Sequence, residues 1–267
     1  MYKRQIWKYD PHWSKVFHLF EEILETLSDG VESMQAGGAE RLFVNNTEVY
    51  PMVSLPYGSI PVHQLSSGMR RIIEIAYLVV WAAAESATFQ TMTQRKAKKS
   101  ITVIVDEIEI HLHPKWQRTV LPSLLKTVPT IDTLTADDIE FAETQFFITT
   151  HSPLVLSSIE SAFDHQRDSV LMLDYDQVRQ SVFLSPFNMP KLGSADAWLK
   201  SEVFGLSSSR SRVGEMAIDQ ARLFLTNNSK TSQFEIEYNL SRAIPDDDPF
   251  WVLWNLRNHI SESRGGE

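Results

Sequence analysis

Two adjacent carboxylates, Asp106 and Glu107, end an apolar run that covers Thr102–Val105. In a parallel sheet, acidic residues at the end of a strand lie at the carboxyl edge, where α/β proteins bind their ligands. One carboxylate at such an edge can hold Mg²⁺, and its neighbour can orient or deprotonate an attacking water. Taken alone, the pair fits equally well with two acidic residues that merely close a strand.

A histidine follows a second apolar run. His151 comes after Phe146–Thr150 and precedes Ser152 and Pro153. If both runs are parallel neighbours in one sheet, this imidazole lies at the same edge as the carboxylates. A neutral imidazole there can hydrogen-bond a terminal phosphate or the attacking water. On its own, an ordinary loop histidine is the simpler interpretation.

A third segment, Leu65-Ser66-Ser67-Gly68-Met69, directly precedes a long apolar helix. Ser66 is placed to cap that helix, which leaves the first backbone N–H groups pointing outward. Together with the positive end of the helix dipole, these groups form an anion site, and Gly68 permits a close approach to the backbone. An ordinary capped helix is the alternative.

The elements that must position these residues follow from hydrophobic periodicity and turn residues. Helices are predicted over 11–29, Ser67–Glu85, 114–128 (kinked at Pro122), 194–204 and 208–226. Strands are predicted over Arg41–Val44, Glu48–Val53, Ile101–Val105, Phe146–Thr150, Ser169–Leu173 and Gln180–Leu184. We expect a hairpin through Asn45–Asn46 and, from its apolar run, a strand at 101–105 that is covered on both faces.

This order of elements predicts an α/β fold, a mostly parallel sheet flanked by helices, with a helical C-terminal extension. The domain organisation expected is a helical segment over 1–40, a core over 41–193 that carries the three motifs, and an extension over 194–267. The aromatic end around Trp251 and Trp254 is expected to contribute to a core.

Composition narrows the class of protein. The chain has 267 residues, a net charge of −9, 43% hydrophobic residues and no cysteine, and its pI is about 5.4. The absence of cysteine excludes disulfides and thiol catalysis, and fits a reducing cytoplasm. The acidic balance disfavours general nucleic-acid coating. The most apolar stretch, 72–84, is too short to span a bilayer, so no membrane partner is expected.

The three motifs, in this order, resemble an ABC-class ATPase head. Leu65–Met69 resembles the signature motif, Val103–Glu107 the Walker B motif and His151 the switch histidine. The segment from Asp106 to Pro114 is similar to the corresponding segment of RecF-like and OLD-like, AAA_21-type ATPases, of the kind found in bacterial phage-defence systems. This resemblance covers roughly residues 40–225 and rests on the strings LSSGMRR, DEIEIHLHP and TTHSP.

The resemblance implies roles for these residues. Asp106 would coordinate Mg²⁺, Glu107 would be the general base, and His151 would sense the γ-phosphate of ATP. The signature residues would bind nucleotide, with Ser66 and Gly68 contacting the γ-phosphate held by a second protomer. Two heads would sandwich two ATP molecules, so the implied partner is a second copy or another head. An effector nuclease and a DNA contact stay open as further partners.

The sequence departs from the family at the P-loop. The pattern G-x-x-x-x-G-K-[ST] occurs nowhere, since none of the ten glycines is followed by lysine. A P-loop supplies backbone amides and a lysine to the phosphates. The chain is therefore expected to be a fragment, one part of a split ATPase, or a decayed homologue. It would hydrolyse ATP only when a segment or chain with a P-loop complements it.

Two alternative functions remain. The first is a non-catalytic regulatory or adaptor module that keeps the fold and the dimer surface, which the missing P-loop favours. The second is a metal-dependent nuclease of the Toprim kind, for which Asp174 and Asp176 offer a superficial match. No suitable glutamate precedes them, and a turn explains the two aspartates better.

Several other polar residues carry weaker signals. His111 and His113, near Glu109, form an H-x-H pair that can bind metal, but His113 before Pro114 is interpreted as a helix-entry packing residue. Arg70 and Arg71 can contact phosphate or DNA, or lie on a solvated helix face. The basic run Arg95, Lys96, Lys98 and Lys99 is most simply a solvated loop.

Overall fold

The computed structural model describes residues 13–41, 48–93, 101–133, 144–226 and 231–264. The basic run at 95–99 and most of the acidic segment at 133–143 lie outside the described residues. The chain divides into two compact units, Met1–Trp198 and Leu199–Glu267. No described helix is long and apolar enough to cross a membrane.

Two long helices build the core of the first unit. Helix α1 (Ser14–Ser28) buries the predicted apolar stripe, including Phe20, Ile23 and Leu27, which are fully shielded from solvent. This stripe packs against helix α2 (Ser67–Thr93). Each large apolar side chain buried in this way contributes about 2 kcal/mol. Packing against α1 therefore holds α2, whose first residues carry the predicted anion site.

A three-stranded antiparallel sheet connects the two helices. Its strands are β1 (Gln35–Glu40), β2 (Tyr50–Leu55) and β3 (Gly58–Pro61). The prediction of a strand at 41–44 was wrong at Arg41, which lies outside any strand, and residues 42–47 are not described. The first strand instead includes Gly37, where an added Cβ would lie 2.9 Å from the Met52 carbonyl oxygen. This close approach requires a glycine within the strand.

The parallel pairing lies in a two-stranded sheet. Strand β4 (Ile101–Val105) pairs with β5 (Thr144–Ile148), residue for residue from Ile101 opposite Thr144 to Val105 opposite Ile148. This pairing, with helices around it, confirms the α/β class. The expectation that β4 is covered on both faces was wrong, because Ile104 is 75% exposed and its partner Phe147 52% exposed. One face of the pair packs on the core and the other is open.

The segments that follow β4 and β5 form a turn and four short helices. After β4 the chain turns through 106–112 and enters α3 (Pro114–Gln117), α4 (Val120–Lys126) and α5 (Val128–Thr133). After β5 it enters α6 (Pro153–Ile159). The prediction of one helix kinked at Pro122 was wrong. The break falls at Arg118–Thr119, so that Pro122 lies in the first turn of α4, where a missing N–H is tolerated.

An antiparallel hairpin follows, formed by β6 (Val170–Asp176) and β7 (Ser181–Phe187). Asp174 lies within a strand, and Asp176 caps the turn by accepting hydrogen bonds from the N–H groups of Val178 (2.8 Å) and Arg179 (3.0 Å). Asp176 thus has a structural use that fits the turn interpretation better than a Toprim site. The unit ends in α7 (Ala195–Leu199), which places the buried Trp198.

The second unit is helical, as predicted. It contains α8 (Arg212–Leu225), α9 (Gln233–Ala243) and α10 (Phe250–Arg264), and its core includes Phe250 and Trp254. The expectation that the aromatic end contributes to a core is confirmed. Arg210 joins two parts of the unit by a two-pronged ion pair with Asp248, at 2.8 Å for each bond.

Candidate functional site

The carboxyl ends of β4 and β5 bring together the acidic pair and the residues before His151. The Thr149 hydroxyl donates to the Asp106 Oδ1 (2.5 Å) and accepts from the backbone N–H of Glu107 (2.8 Å). Backbone bonds continue past the strands, from the Thr149 N–H to the Val105 carbonyl and from the Ile108 N–H to the Thr149 carbonyl, each 3.1 Å. The predicted shared edge is therefore present, and Thr149 is the side chain that joins its two halves.

The backbone of Glu107 is in a left-handed conformation. Its φ is +45°, a region that non-glycine residues seldom occupy. The Glu107 carbonyl then accepts from the Ile110 N–H at 2.9 Å, which closes a tight turn directly after the strand. Strained backbone of this kind persists only where the surroundings hold it, and here the Thr149 hydroxyl binds the Glu107 N–H.

His151 faces Glu107 across the edge. The distance from its Nε2 to the Glu107 Oε1 is 4.0 Å, with exposed side-chain fractions of 85% and 47%. This distance exceeds a hydrogen bond, so the two side chains are neighbours that are not bonded to each other. The structure thus places the two predicted catalytic residues side by side, in contact with solvent, where both can reach one bound group.

The residues on either side of His151 are held by side chains from the segment after β4. Glu109 accepts from the Thr150 hydroxyl through Oε2 (2.6 Å) and from the His151 backbone N–H through Oε1 (2.5 Å). Ser152 donates to the Gln117 Oε1 (2.7 Å) and also caps α6. The backbone of this loop is anchored, whereas the imidazole is left exposed.

The predicted signature residues divide into two groups. Ser66 caps α2 as expected, since its Oγ accepts from the Met69 N–H at 3.2 Å. Ser66 and Ser67 are exposed, whereas Leu65, Gly68 and Met69 are buried. A Cβ added at Gly68 would lie 2.9 Å from the His111 carbonyl oxygen and 3.2 Å from the Trp116 ring. The close approach that the structure shows at Gly68 is to its own chain, and its contact with a phosphate stays a prediction.

Arg71 connects the start of α2 to the carboxylate edge. Its Nη2 donates to the Asp106 carbonyl oxygen at 3.2 Å. Beside this contact is an open surface cavity of about 390 Å³. Basic, acidic, polar and apolar side chains line the cavity. They belong to Ser67, Arg70, Arg71, Glu74, Ile110 and His111. The structure therefore brings the start of α2 and the carboxyl end of β4 into contact through the Arg71 guanidinium.

The part of the chain that the structure describes contains no cluster of three or more His, Cys, Asp or Glu residues that could hold a metal ion. Magnesium needs no such cluster, because it commonly uses one or two carboxylates, several waters and the substrate phosphates. The exposed Asp106 carboxylate, an oxygen ligand whose Oδ1 is oriented by Thr149, fits that mode.

The histidines at 111 and 113 take structural roles. His113 accepts the Lys115 N–H through Nδ1 (3.3 Å) and is the entry residue of α3. Its position at the helix entry is confirmed, whereas the predicted packing role was wrong, because this histidine is exposed and caps the helix. His111 has a φ of +63° and supplies the carbonyl against Gly68.

Sequence reasoning assigned no role to two residues of this edge, Thr149 and Glu109. Both belong to the strings that carry the resemblance. The local sequence does not indicate which residues either of them binds. The only sequence signal is the polar run Thr149–Ser152 directly after an apolar strand. Such a run has to satisfy its hydrogen bonds with groups outside the sheet.

The comparison with protein families matches residues 19–157 to AAA_21, described as "AAA domain, putative AbiEii toxin, Type IV TA system". The match covers more than half of the chain. The chain belongs to the AAA_21 family. All the predicted site residues, from Leu65 to His151, lie inside the matched range. The recognition of an ATPase of this type from the sequence is thereby confirmed.

Named relatives of this AAA_21 chain are bacterial. The chain is 39% identical over 88 residues to the "Retron Vc95 probable ATPase" of Vibrio cholerae serotype O1 biovar El Tor, which is 33% of the chain and 13% of that protein. It is 29% identical over 149 residues to the "Retron Ec83 probable ATPase" of Escherichia coli, 55% of the chain and 23% of that protein. It is 28% identical over 127 residues to the "Septu protein PtuA" of Bacillus mycoides (strain KBAB4), 48% of the chain and 15% of that protein.

These alignments span less than a quarter of each relative. Among solved structures, the AAA_21 chain is similar to one from a study of "ATP-driven dimerization and DNA stimulated activation of SMC ATPases". The TM-score is 0.41 and the identity 13%, over 66% of this chain and 85% of that one. A second is the SmcHead bound to the C-winged helix domain of ScpA, with a TM-score of 0.39 and 14% identity, over 67% of this chain and 44% of that one.

Proposed function

We propose that this chain supplies the signature and Walker B half of an ATPase head, and that it hydrolyses ATP when a P-loop from another segment or chain completes the nucleotide site. One observation carries the proposal. Asp106, Glu107 and His151 meet at the carboxyl edge of the β4–β5 pair, where the Thr149 hydroxyl binds the Asp106 carboxylate and the Glu107 backbone N–H.

Each residue has a task in this proposal. The Asp106 carboxylate holds Mg²⁺, which neutralises charge on the β- and γ-phosphates when it is bound. Glu107 accepts the proton of the attacking water. His151, whose Nε2 lies 4.0 Å from the Glu107 Oε1, donates a hydrogen bond to the γ-phosphate or orients the same water. The P-loop, which this sequence lacks, contributes the amides and the lysine that hold the phosphates.

The start of α2 acts on a second nucleotide. The exposed hydroxyls of Ser66 and Ser67, at the positive end of a 27-residue helix, face outward and are available to the γ-phosphate held by another protomer. ATP then closes a dimer and hydrolysis opens it. The relatives named after retrons and Septu support a role in bacterial phage defence, in which this switch controls an effector.

The test is phosphate release from Mg-ATP by the purified chain, alone and with an added P-loop-bearing chain. Glu107→Gln keeps the shape of the side chain and removes the base, so it is the matched variant. We expect no turnover by the chain alone, and turnover in the mixture that falls about a hundredfold or more in Glu107→Gln. Turnover that is equal in both mixtures would refute the role of Glu107.

A non-catalytic adaptor is the second candidate, and the missing P-loop favours it. In that case the chain binds its partner and no mixture releases phosphate. Association is measured separately by sedimentation, with and without ATP. Binding to the partner without any Glu107-dependent turnover would assign the adaptor function.

A further inference from the structure

The loop that carries His151 is held by a carboxylate to which the proposed mechanism gives no task. Glu109 uses both of its oxygens on this loop, one on the Thr150 hydroxyl at 2.6 Å and one on the His151 backbone N–H at 2.5 Å. The bond from the Thr150 hydroxyl has the length typical of a charge-assisted O–H bond to a carboxylate, and the bond from the His151 N–H is also short. We infer that Glu109 is a positioning residue for ATP hydrolysis, which sets the place of His151 relative to Glu107; this inference rests on the proposed function.

The geometry gives Glu109 control over a distance between two catalytic residues. Glu109 is two positions beyond Glu107, in the turn closed by the bonds from Ile110 to Glu107 and from Leu112 to Glu109, both 2.9 Å. It therefore moves with Glu107. By binding the backbone N–H of His151 it ties that residue to the same turn. The backbone from which the imidazole reaches to 4.0 Å from the Glu107 carboxylate is therefore held on one side.

A neutral residue forms these two bonds less well than the Glu109 carboxylate. The Thr150 hydroxyl already accepts the Ser152 N–H at 3.0 Å and so donates its own proton to Glu109. Both partners of Glu109 are thus donors, and both oxygens must accept. Glutamine removes the negative charge that strengthens both bonds, and it offers one acceptor oxygen. If that oxygen accepts the His151 N–H, the NH₂ group can only donate to the Thr150 Oγ, and the Thr150 proton loses its acceptor. Glu109→Gln therefore has nearly the same shape, weakens the bond to the His151 N–H and removes the bond that the Thr150 hydroxyl donates.

The chain contains a matched control away from this edge. Glu160 binds a loop in the same manner, accepting the backbone N–H of Gly193 at 2.9 Å and the Trp198 indole N–H. Glu160→Gln removes an acceptor of the same kind from a loop that carries no proposed site residue. Any effect common to both variants reflects general stability, and an effect of Glu109→Gln alone reflects the position of His151.

The first measurement is amide hydrogen exchange by NMR on the full chain, which needs no nucleotide. We expect the His151 amide to exchange about tenfold faster or more in Glu109→Gln, and the Gly193 amide to be unchanged. In Glu160→Gln the pattern should reverse. A His151 amide that exchanges at the wild-type rate in Glu109→Gln overturns the inference.

The second measurement is ATP turnover in the mixture with the P-loop-bearing chain. We expect Glu109→Gln to lower kcat about tenfold or more with KM changed less than about twofold, because the misplaced group acts on the reacting atoms and leaves nucleotide binding intact. Glu160→Gln should keep the wild-type kcat. A wild-type kcat in Glu109→Gln overturns the inference. Absent turnover with the wild-type chain is a failure of the proposed ATPase, and the exchange comparison alone then decides whether Glu109 holds this loop.

Discussion

Replacing Gly68 by alanine tests whether this glycine is required for packing within the chain. An added Cβ would lie 2.9 Å from the His111 carbonyl oxygen and 3.2 Å from the Cζ3 of Trp116. Real Cβ atoms essentially never come within 3.0 Å of another atom. The oxygen belongs to backbone and the ring is buried, so neither can turn aside. The start of α2 or the turn at 107–112 has to shift by several tenths of an ångström.

The cost follows from the kind of contact that is compressed. Overpacking a well-packed site by one methyl group destabilises a protein by about 1–3 kcal/mol. With a urea dependence of about 2–3 kcal/mol per molar for a domain of this size, the unfolding midpoint should fall by about 0.3–1.5 M. Because His111 belongs to the turn that also carries Glu107 and Glu109, the shift should reach the carboxylate edge.

The assay is urea unfolding followed by circular dichroism, with Gly38→Ala as the control. Nothing lies within 4 Å of a Cβ built at Gly38, so that variant should unfold within about 0.2 M of wild type. The reasoning is refuted if Gly68→Ala is as stable as Gly38→Ala. A normal midpoint combined with lost nucleotide-dependent association would instead assign Gly68 to a ligand contact alone.

Three further expectations concern stability. Ser66→Ala should lower the free energy of unfolding by about 1 kcal/mol through loss of the cap on α2, while exposed Ser67→Ala should change it by a few tenths at most. Trp116→Phe should cost about 1 kcal/mol, since the buried indole N–H makes no hydrogen bond in the part of the chain that is described. Trp198→Phe removes one of the donors to the Glu160 carboxylate and should cost about 2 kcal/mol or more. Each pair is compared by thermal or urea unfolding, and equal losses within a pair would contradict the assignment. The neighbouring guanidinium holds the pKa of Asp248 below its usual range, so its stabilisation is complete above the unfolded pKa of about 3.9 and is lost as the pH falls further. Unfolding of Asp248→Asn between pH 7 and 2 should be less pH-dependent than that of wild type, and parallel curves would disprove this coupling.

The parts of the site that the sequence predicted are those with local causes. The Ser66 cap uses a bond to a residue three positions ahead, and the strand at 101–105 follows from an uninterrupted apolar run. Recognition of the motifs then placed Glu107 and His151 at one edge. Each of these features follows either from residues that are close in sequence or from the three motifs, which together are specific for the family.

The parts that were missed depend on contacts between distant positions. Glu109 binds residues 41 and 42 positions away, and no pattern within the turn specifies those partners. The requirement for glycine at Gly37 was missed as well, because it comes from the Met52 backbone on the neighbouring strand. The exposure of Ile104 could not be predicted either. An apolar run indicates which residues can be buried, but it does not indicate whether another element covers them.

The separation of the site residues along the chain also has a consequence for synthesis. Thr149 and Asp106, which share a hydrogen bond, are 43 positions apart, and Arg71 is 35 positions before Asp106. At a translation rate of about 5–20 residues per second, the interval between the synthesis of β4 and that of its partner strand β5 is roughly 2–9 s. Throughout that interval the apolar strand exposes an unpaired edge, which is a template for pairing with other chains. Expression at lower temperature lengthens this wait, so the yield of folded protein depends on how nascent β4 is protected as well as on final stability.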